Sequence, residues 1–288
     1  MDIQTNYIER VNQYNEKYRL SYNSWGSPDA KHTLLCVHGL NRNSRDFDFI
    51  AKQMVDKDYY IIAPDLPGRG NSDYLENYNG YSLESNVQDL LALIDLLELQ
   101  NIDFLGTSLG GILGMLLASL EHKPIRKLIL NDIGAEIELA GIGRIIGYNA
   151  EQPDFATLNE GYDYLRSLSA GDGIFDDKIW QHMCINSFQR NQAKRWELKR
   201  DLKLSQSLIE GLNNSGSIDF WPQWQQINSP SLIIHGQQSD LLAATTVKKM
   251  QLINPLTEVL TVADAGHAPY LYRQEHLSKI EQFLLSTK

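Results

Sequence analysis

The sequence predicts an α/β fold, an open and mostly parallel sheet flanked by helices, on three observations. Short apolar strands alternate with amphipathic helices along most of the chain. The strands are runs of Ile, Leu and Val with little alternation, as expected of parallel strands covered on both faces. One stretch, from about Gly134 to Leu212, breaks this rhythm and reads as several helices with no convincing strand.

Six segments read as strands: Thr33–Val37, Tyr59–Ala63, Ile102–Leu105, Lys127–Leu130, Ser231–Ile234 and Glu258–Val262. The clearest helix carries Leu83, Val87, Leu90, Leu91, Ile94 and Leu97 at helical spacing, with Ser82 placed to cap its start. A second begins near Ser44 and gathers Phe47, Ile50, Met54 and Val55. The C-terminal one gathers Leu277, Ile280, Phe283 and Leu284. The alternation of Tyr18, Leu20 and Tyr22 predicts an antiparallel edge strand or hairpin before the parallel part. Residues 1–133 and 213–288 thus form a core, and 134–212 an inserted helical cap over one end of the sheet. Trp180, Trp196, Trp221 and Trp224 lie in the insert or in the return to the core. They are expected to fill the interior of the cap, the alternative being the wall of an apolar substrate pocket.

Composition narrows the function. The chain has 288 residues, 42% hydrophobic and 22% charged, which is ample for a core and excludes disordered and fibrous classes. Its formal charge of −10 argues against general nucleic-acid binding. Two cysteines cannot staple a scaffold and suit a reducing compartment. The polar start MDIQTNYIERVNQYNEK has no apolar h-region, and the uncharged run Phe104–Leu120 is too short and glycine-broken to span a membrane. A cytoplasmic protein with a small-molecule partner is expected. Self-association is left open.

The chemical signal is Gly106-Thr107-Ser108-Leu109-Gly110-Gly111, a G-x-S-x-G pattern with an apolar strand running in and an apolar helix running out. A serine at such a strand–turn–helix elbow stands above the sheet edge, and its flanking glycines avoid collision with neighbouring backbone. The hydroxyl needs a base, and the base an orienting acid. Among seven histidines, His267 in Ala265-Gly266-His267-Ala268-Pro269 sits on a loop after the final strand, where the base belongs. His38 and His235 end strands and read as turn residues bonded to loop backbone. His32, His122, His182 and His276 read as surface residues.

Two aspartates end strands at the carboxyl edge, Asp132 and Asp240. Asp240 is favoured as the acid, giving the order Ser…Asp…His, with Asp132 as the alternative. The amides of Leu40, in the loop His38-Gly39-Leu40-Asn41, and of Leu109 are the candidate oxyanion donors.

Together these residues resemble the α/β-hydrolase family. His38-Gly39, Asp65-Leu66-Pro67-Gly68-Arg69-Gly70-Asn71-Ser72, the elbow, Ser239-Asp240 and Gly266-His267-Ala268-Pro269 occur in family order across residues 33–270. The resemblance implies an eight-stranded, mostly parallel sheet, a cap after the sixth strand, and ester hydrolysis through a serine acyl-enzyme. Serine at the elbow disfavours the dehalogenase and epoxide-hydrolase branches, which carry aspartate there. The chain looks like the meta-cleavage-product and enol-lactone hydrolases, but Ala268 follows His267 where many of those have Trp. That leaves carboxylesterase as the broader reading, with carbon–carbon or enol-lactone hydrolysis, or non-catalytic ligand binding, as alternatives.

No nucleotide loop, P-loop or metal motif is present, so no cofactor or metal is expected. Gly141, Gly143 and Gly147 lack the spacing and the preceding strand of a dinucleotide site. The basic run Arg190, Lys194, Arg195, Lys199, Arg200 and Lys203 reads as the solvated face of a cap helix, or else as an anion-steering rim. Cys36 and Cys184 are expected to be inert core thiols.

Overall fold

The computed structural model describes residues 2–122, 125–149, 151–169, 171–215 and 219–287, and of Tyr148, Leu208 and residues 211–215 only the backbone. The chain opens with a hairpin, β1 (Gln4–Val11) and β2 (Lys17–Trp25), then β3 (His32–Val37), α1 (Asp48–Val55), β4 (Tyr59–Pro64), α2 (Leu83–Leu96), β5 (Ile102–Thr107), α3 (Leu109–Ala118) and β6 (Ile125–Asn131). An insertion follows: α4 (Leu139–Asn149), β7 (Asp154–Phe155), α5 (Leu158–Leu168), α6 (Asp177–Ser187), β8 (Phe188–Arg190), β9 (Trp196–Leu198) and α7 (Lys203–Ser215). The chain returns through α8 (Trp221–Trp224), β10 (Ser231–Gly236), α9 (Ala244–Ile253), β11 (Thr257–Val262) and α10 (Gln274–Leu285).

The main sheet has eight strands in the order β1-β2-β4-β3-β5-β6-β10-β11. β1 and β2 are antiparallel, and β2 is antiparallel to β4; from β4 to β11 every pair is parallel. Side-chain alternation divides the core into two layers. Leu35, Val37 and Ile62 face the layer built with α2 and α3, while Leu34, Cys36 and Ile61 face the one built with α1 and α10. Apolar residues at every strand position are what two covered faces require. Ser82 caps α2 by accepting from the Ser85 amide at 3.2 Å.

The insertion differs from the all-helical expectation. β7, β9 and β8 form a small antiparallel sheet, with strands of only two or three residues that leave no period to read. The basic run therefore lies on the β8–β9 hairpin and the segment after it, not on one helix face. The tryptophans also divide. Trp180 is buried in the insertion's own apolar cluster and Trp196 packs against it. Trp224 is buried in the main core, where its Nε1 donates to Met250 O, and Trp221 packs against that core. Among the described residues, no helix is long and apolar enough to cross a membrane.

Candidate active site

The carboxyl ends of β3, β5 and β6 meet at one edge of the sheet, and the chain gathers its reactive side chains there. Ser108 stands between β5 and α3 in a left-handed conformation, φ 52° and ψ −115°, which presents its side chain out of the turn. That turn fits only because three glycines surround it. A Cβ on Gly110 would lie 2.0 Å from Val37 O, and one on Gly106 would lie 2.3 Å from the Gly110 backbone. The elbow is tied to β6 by the Ser108 amide, which donates to Asn131 O at 3.0 Å.

His267 and Ser108 are brought together: His267 Nε2 lies 2.9 Å from Ser108 Oγ. On the other side of the ring, Nδ1 lies 2.8 Å from Oδ2 of Asp132, not of Asp240. Asp132 is fully buried and also accepts from the Gly236 amide (2.7 Å, Oδ1) and the Ser239 hydroxyl (2.6 Å, Oδ2). This corrects the expectation that Asp240 orients the ring. Asp240 faces outward, 38% exposed, and both its oxygens accept from Arg144 on α4 at 2.7 and 2.8 Å. The Arg144 guanidinium holds its carboxyl below the usual range. The physical reason lies in strand order. β6 is the direct neighbour of β5 and Asp132 follows its last residue immediately, whereas β10 is one strand further out and Asp240 lies four residues past its end.

The loop after β3 faces the elbow. His38 is completely buried and neutral: its ring contacts Gly39 O at 2.7 Å through Nδ1, and its Nε2 accepts from the Leu66 amide at 3.0 Å. Burial lowers its pKa to about 3. Leu40 is fixed at its carbonyl, which accepts from Arg69 Nε at 2.9 Å. Leu40 lines the same cavity as Ser108 and His267. Leu109 begins α3, so its amide has no carbonyl one turn back within the helix to bond.

Two positioning residues are not singled out by local sequence pattern. Arg69 is buried, donates also to Pro67 O, and has its pKa lowered to about 10 by desolvation. Asn131 uses one amide group to bridge Thr107 Oγ1 (3.1 Å) and Pro269 O (3.0 Å), linking the elbow to the histidine loop. Their partners lie up to 138 residues away, and only the Arg69 motif hinted at a role. His235 bonds Leu242 O as a turn residue would. His276, expected at the surface, is 2% exposed. Cys36 and Cys184 are buried thiols whose pKa values burial pushes up.

Ser108, His267 and Leu40 open on a cavity of about 120 Å³ that is also lined by residues of the insertion, among them Ile145, Leu165 and Asp172. None of the four tryptophans lines it. Among the described residues, no group of three or more His, Cys, Asp or Glu is placed to hold a metal ion.

Residues 32–164 match the family model of the alpha/beta hydrolase fold. Over 92% of its length the chain is 34% identical to the 3-hydroxybutyrate-oligomer hydrolase of Cupriavidus necator, again covering 92% of that protein. The chain belongs to the α/β-hydrolase family. It is 24% identical, over 87% of its length and 93% of the relative, to the pimeloyl-[acyl-carrier protein] methyl ester esterase of Vibrio cholerae. Among solved structures, it superposes on an alpha/beta hydrolase from Novosphingobium aromaticivorans with a TM-score of 0.87 and 28% identity, over 98% of both chains. This α/β hydrolase is an enzyme of the hydrolase class, as its relatives are.

Proposed function

We propose that the protein is a serine esterase cleaving esters of small acids, with Ser108, His267 and Asp132 as its triad. The observation that carries this reading is the continuous chain Ser108 Oγ–His267–Asp132, with contacts of 2.9 and 2.8 Å, whose Ser108 and His267 line the cavity. Ser108 Oγ attacks the ester carbonyl as His267 Nε2 takes its proton. Asp132 accepts from Nδ1–H, fixes the tautomer and stabilises the imidazolium. The amides of Leu40 and Leu109 hold the oxyanion, each worth on the order of 10²–10³ in rate. His267 then protonates the departing alkoxide and later activates the water that frees the acid.

Residues 134–212 act as a cap over this centre and 1–133 with 213–288 as the catalytic core. In support, Leu165, Asp172 and Arg200 of the insertion line the same cavity as Ser108. A short acyl group suits a cavity whose walls carry several charged side chains, and the relative named for 3-hydroxybutyrate oligomers points the same way. Two unpaired, buried thiols suit a reducing cytoplasm. The test is hydrolysis of p-nitrophenyl esters from acetate to dodecanoate, with Ser108→Ala as control. Activity greatest on the shortest chains and lost in the variant is expected; turnover that survives the variant would refute the reading.

A further inference from the structure

The cavity holds a second polar cluster, separate from the Ser108–His267–Asp132 chain. Arg42, two residues beyond Leu40, spends its Nε and Nη2 on Asp46 at 2.8 and 2.5 Å. Its Nη1 has no hydrogen-bond partner among the described residues, and Arg42 lines the cavity. Tyr270, 7% exposed, also lines the cavity and has a buried hydroxyl without a partner. Asp172, from the insertion, completes the group. Its backbone is clamped to the histidine loop: the Tyr270 amide donates to Asp172 O at 2.8 Å, and the Gly266 amide to the neighbouring Gly171 O at 2.6 Å.

These groups offer two donors, Arg42 Nη1 and Tyr270 Oη, beside an acceptor, the Asp172 carboxyl. A buried hydroxyl left unpaired is costly, so a ligand that satisfies Tyr270 and its neighbours gains twice. The charges select which ligand. Asp46 already neutralises Arg42 and Asp240 pairs with Arg144, which also lines the cavity, so beside Asp172 a carboxylate finds these cations already matched by acids, and a cation would find Arg42. A neutral hydroxyl is complementary, since it accepts from Arg42 or Tyr270 and donates to Asp172. Burial pushes the Asp172 carboxyl up to about 7 despite Arg42, in keeping with a site that does not favour added negative charge. Phe47, Leu165 and Leu168 line the same cavity and would take the hydrocarbon part of such a substrate.

We propose that Arg42, Asp172 and Tyr270 form a hydroxyl-recognition subsite on the acyl side of the scissile bond, selecting hydroxyacyl esters over plain acyl esters. The acyl side follows from Arg42 sitting in the same short loop as Leu40, whose amide would hold the acyl oxygen. This proposal rests on the ester-hydrolase reading above.

The experiment compares kcat/KM for p-nitrophenyl 3-hydroxybutyrate and p-nitrophenyl butyrate in the wild type, Tyr270→Phe and Asp172→Asn, with Ser108→Ala as control. The wild type should favour the hydroxylated ester by about tenfold or more, the scale of one or two hydrogen bonds. That ratio should fall about tenfold in each variant, chiefly through KM. Tyr270→Phe removes only an unpartnered hydroxyl and so folds even if Asp172→Asn does not. A wild-type ratio near one, or a ratio retained in Tyr270→Phe, overturns the subsite while leaving Ser108-dependent hydrolysis of both esters intact. Failure of the wild type to hydrolyse either ester overturns the ester reading and the subsite with it.

Discussion

Asp132→Asn is the substitution whose consequence the geometry dictates most closely. Oδ1 accepts from the Gly236 amide, so the new amide oxygen must occupy that position. The NH₂ group is then forced to the site of Oδ2, between the Ser239 hydroxyl and His267 Nδ1. There it donates to Nδ1, which must become the acceptor. The ring proton moves to Nε2 and points at Ser108 Oγ, so the base can no longer take the serine proton. An Asp→Asn change of this kind in a serine triad costs roughly 10⁴ in kcat, or about 5 kcal/mol of transition-state stabilisation. Asp240→Asn loses only a half-exposed pair with Arg144 and should stay within about threefold of the wild type. The assay is kcat on p-nitrophenyl butyrate, with thermal unfolding to show that both variants fold. Near-normal turnover in Asp132→Asn, with collapse in Asp240→Asn, would refute the assignment.

Other consequences are structural. Lys127 is buried and its ammonium donates to Phe283 O, Leu284 O and Ser286 O at 2.7–3.1 Å, closing the C-terminal end of α10. Lys127→Met should destabilise the fold by about 1–3 kcal/mol in urea unfolding. Gly110→Ala would push a Cβ into Val37 O; a loss of about 3 kcal/mol or more, with loss of activity, is expected by the same measurement. His38 is held neutral, with its pKa depressed from 6.5 to about 3. The unfolded chain therefore binds the extra proton across that window, and the contribution of His38 to stability falls as pH drops from about 6.5 toward 3. His38→Gln should flatten that slope in urea midpoints measured against pH, and an unchanged slope would argue against it.

What the sequence made legible follows from what is local. Strands such as Thr33–Val37 and Ser231–Ile234 announce themselves because a covered parallel strand is apolar at every position. The elbow is legible because strand, serine, glycines and helix are contiguous in the chain. His267 could be placed by its loop and its position after the last strand, and the structure sets its ring against Ser108. The acid was not legible. Asp132 and Asp240 both follow strands, and only the strand order tells which stands behind the ring. β7 to β9 are not legible because two or three residues carry no periodicity, and β1 is implied only by the hairpin alternative at Tyr18, Leu20 and Tyr22, because only Ile8 among its own residues is buried. His276 looked like a surface residue among polar neighbours, but α10 turns it inward. Arg69 and Asn131 act through backbone contacts distant in sequence, which no local pattern encodes.

The most direct test of the central claim is to trap the nucleophile. Wild type and Ser108→Ala are treated with a fluorophosphonate, and intact mass and peptide mapping are recorded. The account predicts one adduct per chain, on Ser108, with activity lost in proportion and no adduct in the variant. An unlabelled wild type that still hydrolyses p-nitrophenyl butyrate, or an adduct on another residue, would contradict it.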